Sequence, residues 1–220
     1  MASDSDLPIW LPSLSIRHAN GHYILNDGTI CPFTFEQITN AFHRPRLPRR
    51  VPEVRRALAL TLRSAHHPGW QDKEPWVAAE PRYQPFRSTI QPLLAHPIWS
   101  TARILAAPFL AYIPRRLIAG PIDVILQLPD GSIAIAILQT ARRHESLLYA
   151  VRTELGGALA AVIDHRTIAP GHALTIWAAP GSTEIEYHHP DMCLGIWVDA
   201  ASLHCHLQKV KAAGLEQPSV

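Results

Sequence analysis

Cysteine, lysine and long apolar runs are scarce in this chain, and each scarcity removes a class of protein. The three cysteines, Cys31, Cys193 and Cys205, are odd in number and far apart, which excludes a disulfide framework or a CxxC zinc knuckle and fits a reducing compartment. No apolar stretch reaches the roughly 18 residues that a membrane helix needs. The acidic start MASDSD is not a secretory signal. No glycine-rich phosphate loop, internal repeat or low-complexity segment occurs. Together these absences predict a soluble, cytoplasmic protein with no membrane partner.

What is present describes a folded domain. Hydrophobic residues make up 47% of the 220 and charged residues 17%, enough for one sizeable core. Twenty prolines imply many short connections. Net charge is only +2, yet arginine outnumbers lysine 17 to 3 and is clustered. Between residues 44 and 63, Arg44, Arg46, Arg49, Arg50, Arg55, Arg56 and Arg63 face a single acid, Glu53, so seven charges less one leave +6. Arg44, Arg46, Arg49, Arg50, Arg56 and Arg63 are the candidate nucleic-acid contacts, because guanidinium forks pair with phosphates. A GC-rich codon bias also yields arginine, and the same patch suits a solvated face or an acidic protein partner.

Periodicity sets out the elements. In HYILNDGTICPF, alternating apolar residues flank Asn26-Asp27-Gly28 and predict a small N-terminal β-ribbon. Thr34 with Gln37 forms a capping box opening a short helix to about His43. A basic loop holding Pro45 and Pro48 follows, then a helix over about 52–66 on the stripe Val54, Leu58, Leu62 and Ala65. Arg56 and Arg63 share its outer face. Residues 67–98, rich in proline, read as an irregular excursion anchored by Trp70, Trp76 and Trp99, since buried tryptophans outnumber base-stacking ones. Ser100 opens a helical stretch, TARILAAPFLAYI, kinked near Pro108.

Two nearly continuous apolar strands follow at 121–128 and 132–139, joined by Pro129-Asp130-Gly131, as expected of strands covered on both faces. The longest helical pattern runs from His144 to about His165, with Gly156-Gly157 suggesting close packing on a sheet. Strands are expected at about 172–179, 183–188 and 194–198. Asp199 then caps a final helix to Ala213. The fold class is α/β, a three-layer sandwich with a central mixed sheet of four to five strands, helices on both faces and the N-terminal ribbon. Residues 1–50 hold the ribbon, short helix and basic loop, 51–213 the core, and 214–220 a tail.

Asp123 stands inside the first of those strands, where a carboxylate costs several kcal/mol unless it is paired or holds a metal. Its plain structural reading is a carboxylate accepting bonds from backbone amides, or from Arg115 or Arg116 nearby. Gly120-Pro121-Ile122-Asp123, the Asp130-Gly131 turn, and the Asp27-Gly28 ribbon leading through Cys31-Pro32-Phe33 to Thr34 resemble the RecB-like branch of the PD-(D/E)xK nuclease superfamily over about residues 20–200. That resemblance implies a Mg²⁺-dependent DNA nuclease in which Asp123 is a metal ligand. The returning strand departs from it. Laid without a gap, Ile137 falls at the second carboxylate and Gln139 at the lysine, leaving only Thr140. On the helix, Glu154 takes the glutamine position and Ala158 the tyrosine position.

Phosphodiester hydrolysis of this kind needs Mg²⁺ held by at least two carboxylates. Asp123 alone would bind it weakly. The resemblance therefore implies a catalytically degenerate nuclease fold, with Asp123, Gln139 and Glu154 as relic catalytic positions and no cofactor. Such a chain would bind DNA or serve in an assembly, in a virion if phage-encoded. One rival is a divergent Mg²⁺-dependent exonuclease in which Glu145 or Glu154 supplies a migrated carboxylate; a purely structural assembly protein is the other. Zinc at the histidine-rich end, His188, His189 and Cys193 with His204, Cys205 and His206, is disfavoured. Residues 204 and 206 of a helix lie about 200° apart and cannot grip one ion.

Overall fold

The computed structural model describes residues 16–19, 22–25, 27–42, 51–65, 86–113, 116–164 and 170–212. At its centre is a five-stranded mixed sheet in the order β11-β10-β9-β8-β5, built from Arg103–Ala106 (β5), Val124–Gln127 (β8), Ile133–Gln139 (β9), His172–Ala179 (β10) and Ser182–His188 (β11). β9 and β10 run parallel and the other pairs antiparallel. All seven residues of β9 are buried, because helices cover both faces of the strand.

The alternation along β9 sorts those helices. Ile133, Ile135 and Ile137 point into a cluster with Phe35–Phe42 (α1), Glu145–Asp164 (α4) and Pro190–Ala212 (α5). Ala134, Ala136 and Leu138 point into a second cluster with Val51–Ala65 (α2) and Arg87–Leu94 (α3). The α/β sandwich with a five-stranded mixed sheet and helices on both faces is thus as the apolar strands predict.

A smaller sheet, β4-β7-β6, from Phe33–Thr34, Ile118–Ile122 and Phe109–Ile113, lies beside the central one. β7 ends at Ile122 and β8 begins at Val124, so the chain changes sheets across the single residue Asp123. The N-terminal ribbon is a three-stranded antiparallel sheet, Ile16–Ala19 (β1), His22–Leu25 (β2) and Ile30–Cys31 (β3). Its turn carries Gly28 at φ +85°, a conformation open to glycine. The capping box forms in full: Thr34 N–H donates to Gln37 Oε1 at 2.9 Å, and Gln37 N–H to Thr34 Oγ1 at 3.0 Å.

Three expectations are corrected. Residues 103–113 form β5 and β6 rather than a kinked helix, and Pro108 sits in the bend between them. Their apolar run suits both periods, and pairing with β8 and β7 decides it. Residues 194–198 belong to α5, which starts at Pro190, so Asp199 is interior to the helix and caps nothing. Residues 87–94, expected to be irregular, form α3 with Pro92 inside it, and Trp99 is buried, its indole N–H donating to Leu93 O. The basic loop, Trp70 and Trp76 lie outside the described residues.

Gly156 and Gly157 are packing glycines, but they face a helix rather than a sheet. A Cβ on Gly156 would lie 2.1 Å from the Cys193 carbonyl oxygen, and one on Gly157 would lie 2.9 Å from the Trp197 ring. Among the described helices, α4 alone is long and apolar enough to cross a membrane, and 61% of that stretch is buried inside the fold. Its buried face packs on α1, α5 and the sheets.

Candidate functional site

The turn from β7 into β8 places Asp123 in the core. Three residues upstream on β7, Gly120 lets the Phe35 ring of α1 close over the strand, since a Cβ there would come within 2.4 Å of Phe35 Cδ2. Ile122 and Ile125 then enter the cluster on the α4 side, Val124 and Leu126 the one on the α2 side. Asp123 sits where the two sheets part.

Three donors converge on one oxygen of Asp123. The Leu138 N–H on β9 reaches Oδ2 at 2.7 Å, Arg55 Nε at 2.9 Å and Arg55 Nη2 at 2.5 Å. Arg55 comes from α2, and its remaining Nη1 pairs with Glu154 Oε1 on α4 at 2.6 Å. One guanidinium therefore bridges two carboxylates, joining a helix on one face of the central sheet to a helix on the other. Exposure is 6% for Arg55, 2% for Asp123 and 5% for Glu154. All three are shielded from water, so each depends on the others for its charge.

The titration behaviour follows from that crowding. Burial pushes the Glu154 carboxyl above its ordinary value; Arg55 pulls it down, and the Asp123 charge pushes it up again. Burial works against the charge on Arg55, but Asp123 and Glu154 together outweigh it and hold its pKa above the ordinary value. Tyr23 of β2 is pushed up to about 12 by burial, then by Glu36, with Glu154 adding and Arg55 opposing. Two carboxylates share one guanidinium, and burial favours the neutral form of Glu154.

The sequence candidates fare unequally. Asp123 and Glu154 are brought together through Arg55. Gln139 is 2% exposed at the end of β9, beside Trp177 in register, and its amide nitrogen has no hydrogen-bond partner. Ile137 is fully buried. Glu145, the other candidate for a migrated carboxylate, is exposed at the start of α4. Arg56 and Arg63 are exposed on α2, while Arg44, Arg46, Arg49 and Arg50 lie outside the described residues.

Arg55, one of the seven arginines of residues 44–63, does not join a basic surface patch; it is the core partner of Asp123. The sequence offers backbone amides, or Arg115 or Arg116, as partners of Asp123. The amide is Leu138, but the arginine is Arg55; Arg116 is exposed and Arg115 is outside the described residues. The sequence does not single Arg55 out; its place on the buried side of α2 is a fact of packing. Arg55, Leu58, Ala59 and Leu62 are all buried at i, i+3, i+4 and i+7, one helical stripe.

The donor set does not fit a Mg²⁺ centre. Asp123 Oδ2 already accepts three hydrogen bonds, and the space between the two carboxylates holds a permanently charged guanidinium. Among the described residues no three His, Cys, Asp or Glu side chains are grouped to hold a metal. The histidine-rich end is dispersed. His188 is buried against Thr175 Oγ1 at 2.8 Å, His204 is buried edge-on to Phe33, and His189 is exposed.

No protein-family model matches the chain, and no curated protein does. Among solved structures it is similar to SSO0001 in its crystal structure, at 12% identity and a TM-score of 0.32 over 68% of this chain and 74% of that one. A likeness this slight carries no argument about function.

Proposed function

We propose that this chain is a catalytically degenerate protein of RecB-like nuclease fold that works by binding DNA rather than cutting it. The observation that supports the reading is the Asp123–Arg55–Glu154 bridge. Metal-dependent hydrolysis requires carboxylate oxygens free to hold Mg²⁺ beside the scissile phosphate, with a base or lysine to position water. Here the carboxylates are committed to a guanidinium, Ile137 presents a hydrocarbon, and Gln139 carries no charge. Binding would fall to the arginines of residues 44–63 other than Arg55, of which Arg56 and Arg63 are exposed on α2, with a cytoplasmic or virion setting and no cofactor.

Two measurements test this. Incubation of end-labelled DNA with the pure protein and Mg²⁺ or Mn²⁺ should leave the DNA intact; cleavage abolished by Asp123→Asn would establish the exonuclease reading in its place. Affinity for duplex DNA should fall steeply between low and moderate salt, each lost phosphate contact flattening the log–log slope by about 0.9. Arg56→Ala with Arg63→Ala should weaken binding and flatten that slope. Affinity independent of salt and of both arginines would favour an assembly protein whose arginines meet acidic protein surface.

A further inference from the structure

One flank of α5 leaves hydrocarbon open to solvent. Met192 is 40% exposed, Leu203 48% and Leu207 49%, and Ile196 among them is half-buried. At 3.6 residues per turn these four side chains fall within an arc of about 60°, so they form one strip along the helix rather than scattered surface residues. The side of α5 that enters the core is a different one, carrying Cys193, Trp197, Ala200 and Ala201. Met192, Ile196, Asp199, Leu203 and His206 follow one another at intervals of four, three, four and three, the spacing of a seam between two helices.

The charges along that seam select what fits it. The exposed acids of α5, Asp191 and Asp199, lie in its first half, and exposed His206 and Lys209 lie in its second. A parallel helix of the same sequence would set Asp199 on Asp199, a like-charge pair inside the seam. An antiparallel one centred near Ala201 brings Asp199 of each helix beside His206 of the other, where an imidazole N–H can donate to the carboxylate. It also sets Leu203 of each against Ile196 of the other, and the acidic half of each against the basic half of its mate.

We propose that this strip is a self-association surface, on which α5 of a second copy of the chain packs antiparallel about a twofold axis near Ala201. A twofold axis repeats every contact, so one apolar strip and one Asp199–His206 pairing each count twice. The surface is self-complementary in charge only in this orientation, which is why a second copy fits it. The inference rests on α5 alone and stands apart from the DNA-binding reading, because its test contains no nucleic acid.

The test is sedimentation equilibrium of the full chain over about 1–200 µM, a range that captures a dimer of micromolar affinity. The wild type should shift from monomer to dimer across it. Leu203→Glu, at an exposed position, should keep the far-UV circular dichroism spectrum and raise the dissociation constant about tenfold or more. Asp199→Lys and His206→Glu should each weaken the dimer, and the two together should restore it to within about threefold of the wild type. Should Leu203→Glu fail to fold, the charge exchange decides by itself, since Asp199 and His206 are both exposed. A wild type that stays monomeric throughout would overturn the proposal and leave the strip to a partner of another kind. A dimer indifferent to Leu203→Glu, or one that the charge exchange does not restore, would overturn it too.

Discussion

Burying one guanidinium between two carboxylates makes opposite demands on the three residues involved. Removing Arg55 leaves two desolvated charges without a partner, whereas removing the charge of Glu154 leaves Arg55 still paired with Asp123. Arg55→Met should therefore cost about 3–5 kcal/mol at neutral pH, read from the denaturant midpoint at unchanged slope. Glu154→Gln keeps an acceptor for Nη1 and removes a buried carboxylate, and should cost less than about 1 kcal/mol. Equal losses in the two variants would show that the guanidinium does not organise the group. At this scale the sequence made Asp123 conspicuous and left its partner hidden. Arg55 is 68 positions away, and a helix bearing Val54, Leu58 and Leu62 admits either an exposed or a buried neighbour at 55.

The interaction of α4 with α5 is decided by backbone approach. The Cβ of an alanine at 156 would meet the Cys193 carbonyl oxygen at 2.1 Å, so Gly156→Ala should lower stability by about 1–3 kcal/mol or more despite alanine's better helix propensity. Gly195, inside α5 with nothing within 4 Å of its Cβ position, is the control: Gly195→Ala should raise stability by about 0.5–1 kcal/mol. The two Tm shifts should have opposite signs. At the start of α1, Thr34→Ala removes the acceptor for the Gln37 N–H and should cost about 1 kcal/mol. That cap was legible because it is local. The strand expected at 194–198 was not: Leu-Gly-Ile-Trp-Val suits a strand by composition, and packing of Cys193, Trp197, Ala200 and Ala201 into the core, with Trp197 seated against Gly156 and Gly157, sets it in a helix.

For the whole molecule, the buried ionisable groups oppose one another as pH falls. Burial lowers the folded pKa of His188, His204 and His96 below the ordinary 6.5, so the unfolded chain takes up protons first. Their contribution is intact above about pH 6.5 and lost as pH falls through and below it. Glu154 has the other sign: its folded pKa is raised above 4.5, so the native state protonates first, and its contribution is gained as pH falls and lost as pH rises through the folded value. Unfolding free energy should accordingly drop between about pH 7 and pH 5. His188→Gln should make the drop shallower and Glu154→Gln steeper. A Glu154→Gln profile parallel to the wild type's would mean that Glu154 titrates normally.

The sequence by itself determined what short-range chemistry can fix. The continuous apolar strands announce a central sheet covered on both sides, Pro129-Asp130-Gly131 sets the hairpin, with Gly131 at φ +83°, and Thr34 with Gln37 starts α1. It also showed a carboxylate that needed a partner. Tertiary structure alone decided which partner. The split of the chain into two sheets at Asp123 brings the α2 and α4 sides of the core to one point, and a buried charge takes its counter-charge from whatever folding places there. Desolvation cost is local and visible in sequence; the compensation is long-range and is set by packing.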